Sequence, residues 1–217
     1  MKRILILLLI AMPLIIPGYT QDKKGTDKTK KITDDKVYQE IVLEDFETAK
    51  YGKDNIKFRY TKGQQAALSV RNQYPSPAKN SKKYLGVKLK AKLGDFFVIT
   101  PAGDLIIDKY CKSLAVWVYG KRFSGQLSLL IQDANKKNHR VILGTIDFLG
   151  WRKLIVKLPK YIKQQDEYLS QKRFIKIMQI QYRPGNQTVH PRWQYFYIDD
   201  ITAMVRDKYT DRQSDDW

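Results

Sequence analysis

Short apolar runs with period-two alternation recur along the chain from residue 37 onward. Successive side chains of a strand point to opposite faces, so this pattern predicts β-strands that each bury one face. Polar stretches rich in Gly, Pro, Asn or Asp separate the runs, as turns do. The predicted strands are Ile41–Glu47, Ile56–Thr61, Ala66–Arg71, Tyr84–Lys92, Phe96–Thr100, Ser113–Tyr119, Gln126–Asp133, His139–Asp147, Arg152–Leu158, Phe174–Arg183 and Gln194–Val205.

About ten short strands with almost no helix predict an all-β protein, either an antiparallel β-sandwich (jelly roll) or a barrel. We favour the sandwich because the turns are long and uneven. The apolar run Ser113–Tyr119 is expected to be a central strand with Trp117 in the core. A hairpin is expected at Lys62-Gly63, and Tyr161–Gln171 is the one candidate for a short helix.

The first twenty residues have the form of an export signal. Lys2 and Arg3 precede the apolar run Ile4–Met12, which Pro13 and Pro17 terminate. This run is shorter than the roughly 20 residues that span a bilayer. We therefore expect cleavage and a chain that is not embedded in a membrane, with an uncleaved anchor as the alternative.

The remaining chain divides into three predicted parts. Residues 21–36 contain one apolar residue among alternating charges, which predicts a flexible charged N-terminal arm. Residues 37–206 form the β-sandwich domain, and residues 207–217 form a polar tail.

Composition narrows the range of partners. The net charge of +18 is typical of proteins that bind nucleic acid, but an exported chain does not meet that partner. Acidic protein surfaces, anionic lipid and acidic glycans remain. The single cysteine, Cys111, excludes an intramolecular disulfide and is expected in the core or at a strand edge.

Four segments, taken in order, resemble the outer-layer (sheath) protein family of the spirochaetal periplasmic flagellar filament. They are IVLEDFE (41–47), VWVYGKRFSGQLSLLIQDANKK (116–137), GTIDFLGWRKLIVKLP (144–159) and QYFYIDDI (194–201). The resemblance implies a periplasmic structural protein of the flagellar sheath that supports motility. The implied partners are core filament proteins and other sheath proteins. Strand-Gly-Trp-strand units and YIDD strands also occur in carbohydrate-binding jelly rolls, so a secreted carbohydrate-binding module is the alternative.

Carboxylates lie on both the first and the last predicted strand. These two strands often pair in jelly rolls, and six to eight oxygens suit a Ca²⁺ ion. We therefore consider a structural calcium site, with Glu47, Asp199 and Asp200 as the candidate ligands; no other cofactor is expected. The alternative is that these carboxylates end strands and pair with the abundant Lys and Arg.

Aromatic and basic residues near turns are the candidates for protein binding, because Trp, Tyr and Arg are common at interface hot spots. The candidates are Arg122, Lys136, Lys137, Trp151, Trp193 and Tyr195. Lys88, Lys90 and Lys92 alternate with apolar residues and are expected to face solvent. The same aromatics could serve a glycan-binding face.

The sequence contains few of the residues that catalysis needs. His139 and His190 are the only histidines. Neither a GxSxG nor an HExxH motif occurs, and there is no phosphate-binding Gly loop. We therefore expect a binding protein and not an enzyme.

Overall fold

The computed structural model describes residues 37–59, 65–165, 172–186 and 188–209. Within these ranges the chain forms twelve strands and one short 3₁₀ turn, Lys53–Asn55. The strands are β1 (Gln39–Glu44), β2 (Ile56–Arg59), β3 (Ala66–Arg71), β4 (Tyr84–Ala91), β5 (Phe96–Ile99), β6 (Leu105–Ile107), β7 (Tyr110–Lys121), β8 (Gly125–Gln132), β9 (Asn138–Thr145), β10 (Leu149–Lys157), β11 (Ile175–Pro184) and β12 (Arg192–Arg206).

These strands form two six-stranded antiparallel sheets. Sheet 1 has the order β10-β7-β12-β4-β3, and sheet 2 has the order β2-β5-β11-β8-β9. The long strands β12 and β11 each carry two short partners on one edge: β4 and β1 beside β12, and β5 and β6 beside β11. The predicted all-β antiparallel sandwich is confirmed, as are the pairing of first and last strands and the central place of β7.

The core lies between the sheets and follows from the alternation in each strand. Along β12, Phe196 and Ile198 are fully buried, while the residues between them face away from sheet 2. The inward residues of β4, β7, β8 and β11 meet them, including Leu85, Leu89, Val118, Leu129 and Tyr182. Cys111 belongs to this core, and burial raises the pKa of its thiol to about 12, so it stays protonated.

A buried hydrogen-bond chain joins the two sheets. The Tyr182 hydroxyl on β11 donates to Gln194 Oε1 on β12, and Gln194 Nε2 donates to Thr188 Oγ1 at 3.2 Å. The Tyr182 ring lies against Gly125, where an added Cβ would be 2.2 Å from the hydroxyl oxygen. Each buried polar group here has a partner, which such a position requires.

Two local predictions were wrong, and one strand was missed. β2 and β3 belong to different sheets and therefore do not pair as a hairpin; the predicted turn Lys62-Gly63 lies outside the described residues. Trp117 is half-buried on the outer face of sheet 1, because its neighbours Val116 and Val118 take the core positions. The strand β6 was not predicted, since three residues are too few to show an alternation.

The candidate helix Tyr161–Gln171 is a turn over the part that the structure describes, and residues 166–171 lie outside it. Ile162 is buried, and the Gln164 side chain bonds both backbone groups of Cys111: it accepts from N–H at 2.7 Å and donates to the carbonyl at 2.9 Å. Beyond the end of β10, the Gln164 side-chain amide thus makes the hydrogen bonds to β7 that a neighbouring strand would make. The spacing of apolar residues in the sequence does not predict such a contact.

The predicted export signal (1–20) and charged arm (21–36) lie outside the described residues, as does the tail from residue 210 on, so these divisions stay predictions. The part of the chain that the structure describes contains no helix that could span a membrane.

Removing the Tyr182 hydroxyl should weaken the contact between the sheets. Tyr182→Phe leaves Gln194 Oε1 buried without its donor, which costs about 1–3 kcal/mol of unfolding free energy. Urea unfolding followed by circular dichroism measures the loss. Tyr74→Phe, at a tyrosine that is 78% exposed, is the matched control and should change nothing. Equal stability of Tyr182→Phe and the parent would contradict this account.

Candidate aromatic–basic binding face

The outer face of sheet 1 carries a row of aromatic residues along β12. Trp193, Tyr195 and Tyr197 alternate with the buried residues Gln194 and Phe196. They therefore share the face that points away from the core. Trp193 is the most exposed of the three, and the other two are half-buried.

Flanking strands extend this row into a cluster of rings. Tyr119 on β7 lies opposite both Tyr197 on β12 and Trp151 on β10, with ring centroids 5.5 Å apart in each pair. Tyr84 on β4 closes the cluster, 5.2 Å from Tyr197 and 5.6 Å from Trp151. Most of these contacts are edge-to-face, an arrangement that stabilises aromatic pairs beyond their burial.

Two lysines from the strands on either side of β12 lie over this row. Lys88 Nζ is 4.4 Å from the centre of the Trp193 ring and 5.8 Å from that of Tyr195. Lys121 Nζ is 5.6 Å from Tyr195 and 5.3 Å from Tyr197. Both ammonium groups are within the reach of cation–π attraction. We call these five residues the lysine–aromatic ladder.

A groove of about 420 Å³ adjoins the ladder. One wall comes from the start of the long loop 72–83, and its lining is Arg71, Gln73, Tyr74, Tyr84, Tyr119, Lys121 and Tyr197. Beside it, Trp151 Nε1 is buried without a hydrogen-bond partner among the described residues. The face therefore combines exposed rings, cations and an unused donor.

Loop 72–83 is held in place by carboxylates. Asp199 Oδ2 accepts a hydrogen bond from the Ser81 hydroxyl at 2.6 Å, and Ser76 also bonds this carboxylate. Glu47 Oε1 accepts the backbone N–H groups of Lys82 at 2.5 Å and Lys83 at 2.8 Å. These bonds fix the loop against the face on both sides.

Asp200 occupies a β-bulge with positive φ (37°), a conformation that Asp and Asn tolerate better than most residues. Burial, together with the negative charges of Asp199 and Asp45, raises the pKa of its carboxyl to about 6. Burial also raises the pKa of Asp199, although the hydrogen bonds from Ser81 and Ser76 oppose that shift.

The three candidate calcium ligands lie in this region. Glu47 and Asp199 each bond a different part of loop 72–83, and Asp200 follows Asp199 in the bulge. Within the described ranges, no group of three or more His, Cys, Asp or Glu side chains is placed to hold a metal ion. The observed role of Glu47 and Asp199 is to position the loop, and calcium binding stays a prediction.

The predicted protein-binding residues fall into two places. Trp151, Trp193 and Tyr195 come together on the outer face of sheet 1, and Arg122 occupies the turn that follows Lys121 at the end of β7. Lys136 and Lys137 lie in the β8–β9 loop, at the other end of β8 from that turn. These six residues therefore do not form one surface.

Sequence reasoning missed the central rings of the face, Tyr84, Tyr119 and Tyr197. The signal for Tyr197 was present, since Tyr195 and Tyr197 share one parity in the predicted strand Gln194–Val205. Tyr84 and Tyr119 could not be added without knowing that β4 and β7 flank β12. The expectation that Lys88 and Lys90 face solvent is confirmed.

His139 has a structural environment. Its Nε2 lies 2.8 Å from Asp133 Oδ2, and Asp133 Oδ1 also accepts the backbone N–H groups of Asn135 and Lys137, both at 2.8 Å. These bonds shape the β8–β9 turn. His190 is exposed and lies far from His139 in the sequence. Neither histidine lines the groove.

The fold and this face together define an antiparallel β-sandwich with an aromatic and basic outer surface. A family model described as flagellar filament outer layer protein FlaA matches residues 55–214. The chain therefore belongs to the flagellar filament outer layer protein family, which confirms the resemblance; three of its four segments lie within the matched residues.

Two curated relatives agree. A flagellar filament outer layer-like protein of Brachyspira hyodysenteriae is 30% identical over 143 residues, 64% of this chain and 65% of the relative. The flagellar filament outer layer protein of Spirochaeta aurantia is 26% identical over 174 residues, 70% of this chain and 51% of the relative. The matched region is thus less than two thirds of either relative.

Solved structures with a similar chain path are β-sandwiches. The family 11 carbohydrate-binding module of a Clostridium thermocellum cellulase has a TM-score of 0.46 at 10% identity, covering 79% of this chain and 97% of the module. A xylan-binding family 22 domain has a TM-score of 0.39 at 14% identity, covering 76% and 94%.

Neutralising Asp200 should stabilise the protein near neutral pH. The folded-state pKa of about 6 exceeds the ordinary value of 3.8, so between these pH values the folded chain holds a proton that the unfolded chain releases. The contribution of Asp200 to stability therefore falls as pH rises from about 4 to about 6. Asp200→Asn should have a higher thermal midpoint than the parent at pH 7.5, and this margin should shrink towards pH 4.

Asp108→Asn, at an exposed aspartate far along the chain from the bulge, is the control for a generic loss of negative charge. It should show no such pH-dependent margin. A midpoint for Asp200→Asn that is lower than that of the parent at pH 7.5 would mean that the charged form of Asp200 is stabilising.

Proposed function

We propose that the chain is a structural subunit of the outer layer of the periplasmic flagellar filament and binds a neighbouring filament protein through the outer face of sheet 1. The lysine–aromatic ladder and its groove are the observation that carries this proposal. Membership in the outer layer family supports it, because the relatives are filament outer layer proteins. The predicted export signal supports a periplasmic location.

The face has the features of an interface centre. Rings from four neighbouring strands cluster there, and aromatic residues and Arg are the side chains that most often dominate binding energy. Strand pairing within one sheet sets the positions of the rings, so binding costs little conformational entropy at these side chains. Core filament proteins and other sheath proteins are the candidate partners, and the bound layer would shape the filament and support motility.

A secreted carbohydrate-binding module is the second candidate. It is favoured by one observation, the tyrosine-lined groove beside the ladder. Lys88 and Lys121 argue against it, because they lie over the ring faces on which a sugar would stack. A neutral glucan oligosaccharide that binds with micromolar affinity and depends on Tyr195 would favour this second candidate.

Truncating the ladder should remove the protein from filaments. Trp193→Ala/Tyr195→Ala deletes two rings from the outer face, and the loss of central aromatic anchors typically costs at least 2 kcal/mol of binding free energy, about thirtyfold. Filaments purified from cells that express this variant in place of the parent should carry little of it. Immunoblotting and filament diameter from electron cryo-tomography are the measurements.

Tyr161→Ala/Phe174→Ala removes two exposed aromatics outside the groove and is the matched control. It should be incorporated as the parent is. Normal incorporation of the Trp193/Tyr195 variant, with normal diameter, would reject this face as the binding surface. Absence of the parent protein from purified filaments would reject the proposed function itself.

A further inference from the structure

The ladder has a regular geometry that indicates what it binds. Trp193, Tyr195 and Tyr197 are alternate residues of one strand, so successive rings lie about 7 Å apart along β12. Lys88 contacts the first two rings and Lys121 contacts the last two. Each ammonium group thus lies over two of the three rings, and Tyr195 is shared by both.

These ammonium groups have no acidic partner among the described residues, neither in a hydrogen bond nor in an ion pair. Acidic side chains on the same sheet are engaged elsewhere: Glu40 pairs with Lys153 at 2.5 Å, and Asp199 bonds Ser81. An ammonium group offers three hydrogen-bond donors. A ring face attracts the charge but has no acceptor oxygen for these donors. The ladder therefore presents uncompensated positive charge at two defined points.

A neutral ligand does not suit this arrangement. To stack on Trp193 it would displace the Lys88 ammonium group and lose the cation–π attraction between them. It would supply no charge in return. A carboxylate, in contrast, can pair with the ammonium group while the ring stays in place.

We propose that the ladder binds an extended acidic segment of a protein, with carboxylates on alternate residues paired to Lys88 and Lys121. Alternate side chains of an extended chain lie about 7 Å apart on one side, so two such carboxylates can each reach one of the two ammonium groups beside Tyr195. Trp193 and Tyr195 supply apolar contact to the stems of the acidic residues. This inference rests on the proposed function and names the chemistry of the partner at that same face.

Synthetic peptides test the charge and the spacing separately. The probe is (Thr-Glu)4, in which the carboxylates alternate; the controls are Thr4Glu4, with the same composition in blocks, and the neutral (Thr-Gln)4. Binding is followed by tryptophan fluorescence and calorimetry at 50 mM and 300 mM salt. The alternating acidic peptide should bind most tightly, the neutral peptide about tenfold more weakly, and added salt should weaken the acidic probe.

Charge reversal assigns the effect to the ladder. Lys88→Glu/Lys121→Glu should lower the affinity for (Thr-Glu)4 by at least about tenfold. Lys57→Glu/Lys160→Glu makes the same change of net charge at two exposed lysines outside the ladder and should alter affinity only slightly. Circular dichroism and thermal midpoints of all variants show whether each is folded.

Three results would overturn the inference: equal binding of the neutral peptide, equal effects of the two reversal variants, or competition by a neutral glucan oligosaccharide but not by the acidic peptide. Preference for an acidic polysaccharide over (Thr-Glu)4 at equal charge would also overturn it. Incorporation of the Lys88/Lys121 variant into filaments, while the Trp193/Tyr195 variant is excluded, would reject the acidic partner but leave the proposed function intact.

Discussion

The alternation of side chains along β12 is the constraint on which both the core and the binding face depend. β12 lies between β7 on one edge and β4 and β1 on the other. Its inward residues Gln194, Phe196 and Ile198 join the core and the inter-sheet hydrogen bonds, whereas its outward residues form the ring row. A shift of one residue in the pairing of β12 would exchange the inward and outward residues. The buried hydrogen bond from Tyr182 to Gln194 therefore also fixes which residues of β12 point outward.

The carboxylates near the outer face of sheet 1 hold loop 72–83 in place by hydrogen bonds. Asp199 and Glu47 come from opposite ends of the chain, and both bond loop 72–83, whose first residues form a wall of the groove. The loop carries few apolar residues, so polar bonds to a buried carboxylate replace the packing that it lacks. The bulge at Asp200 is the point where β12 changes partner from β4 to β1. The change of partner and the loop thus account for where these acidic residues lie.

Sequence alternation was enough to predict the fold class and most strands, because a half-buried strand shows its period within five or six residues. It was also enough to place Trp193 and Tyr195 near a surface. It could not assign β2 and β3 to different sheets or put Trp117 outside, since strand neighbours depend on long-range contacts. The cluster of Tyr84, Tyr119 and Trp151 joins three strands far apart in the chain, and only the sheet order brings these rings together. For the same reason Lys136 and Lys137, although close in sequence to β8, lie away from the ladder.

The positive net charge of the chain restricts how copies of the proposed subunit can pack into a layer. Copies with a net charge of +18 repel one another unless anionic groups lie between them. Salt screens this repulsion beyond about 8–10 Å but not at direct contact. Basic residues occur on the ladder and also in the distant β8–β9 loop, so contact between two copies through either region brings like charges together. An acidic filament partner removes that cost at the ladder, and aromatic rings held by sheet pairing then supply the short-range contact. Under the proposed function, this distribution of charge favours an acidic partner at the ladder over contact between two copies there.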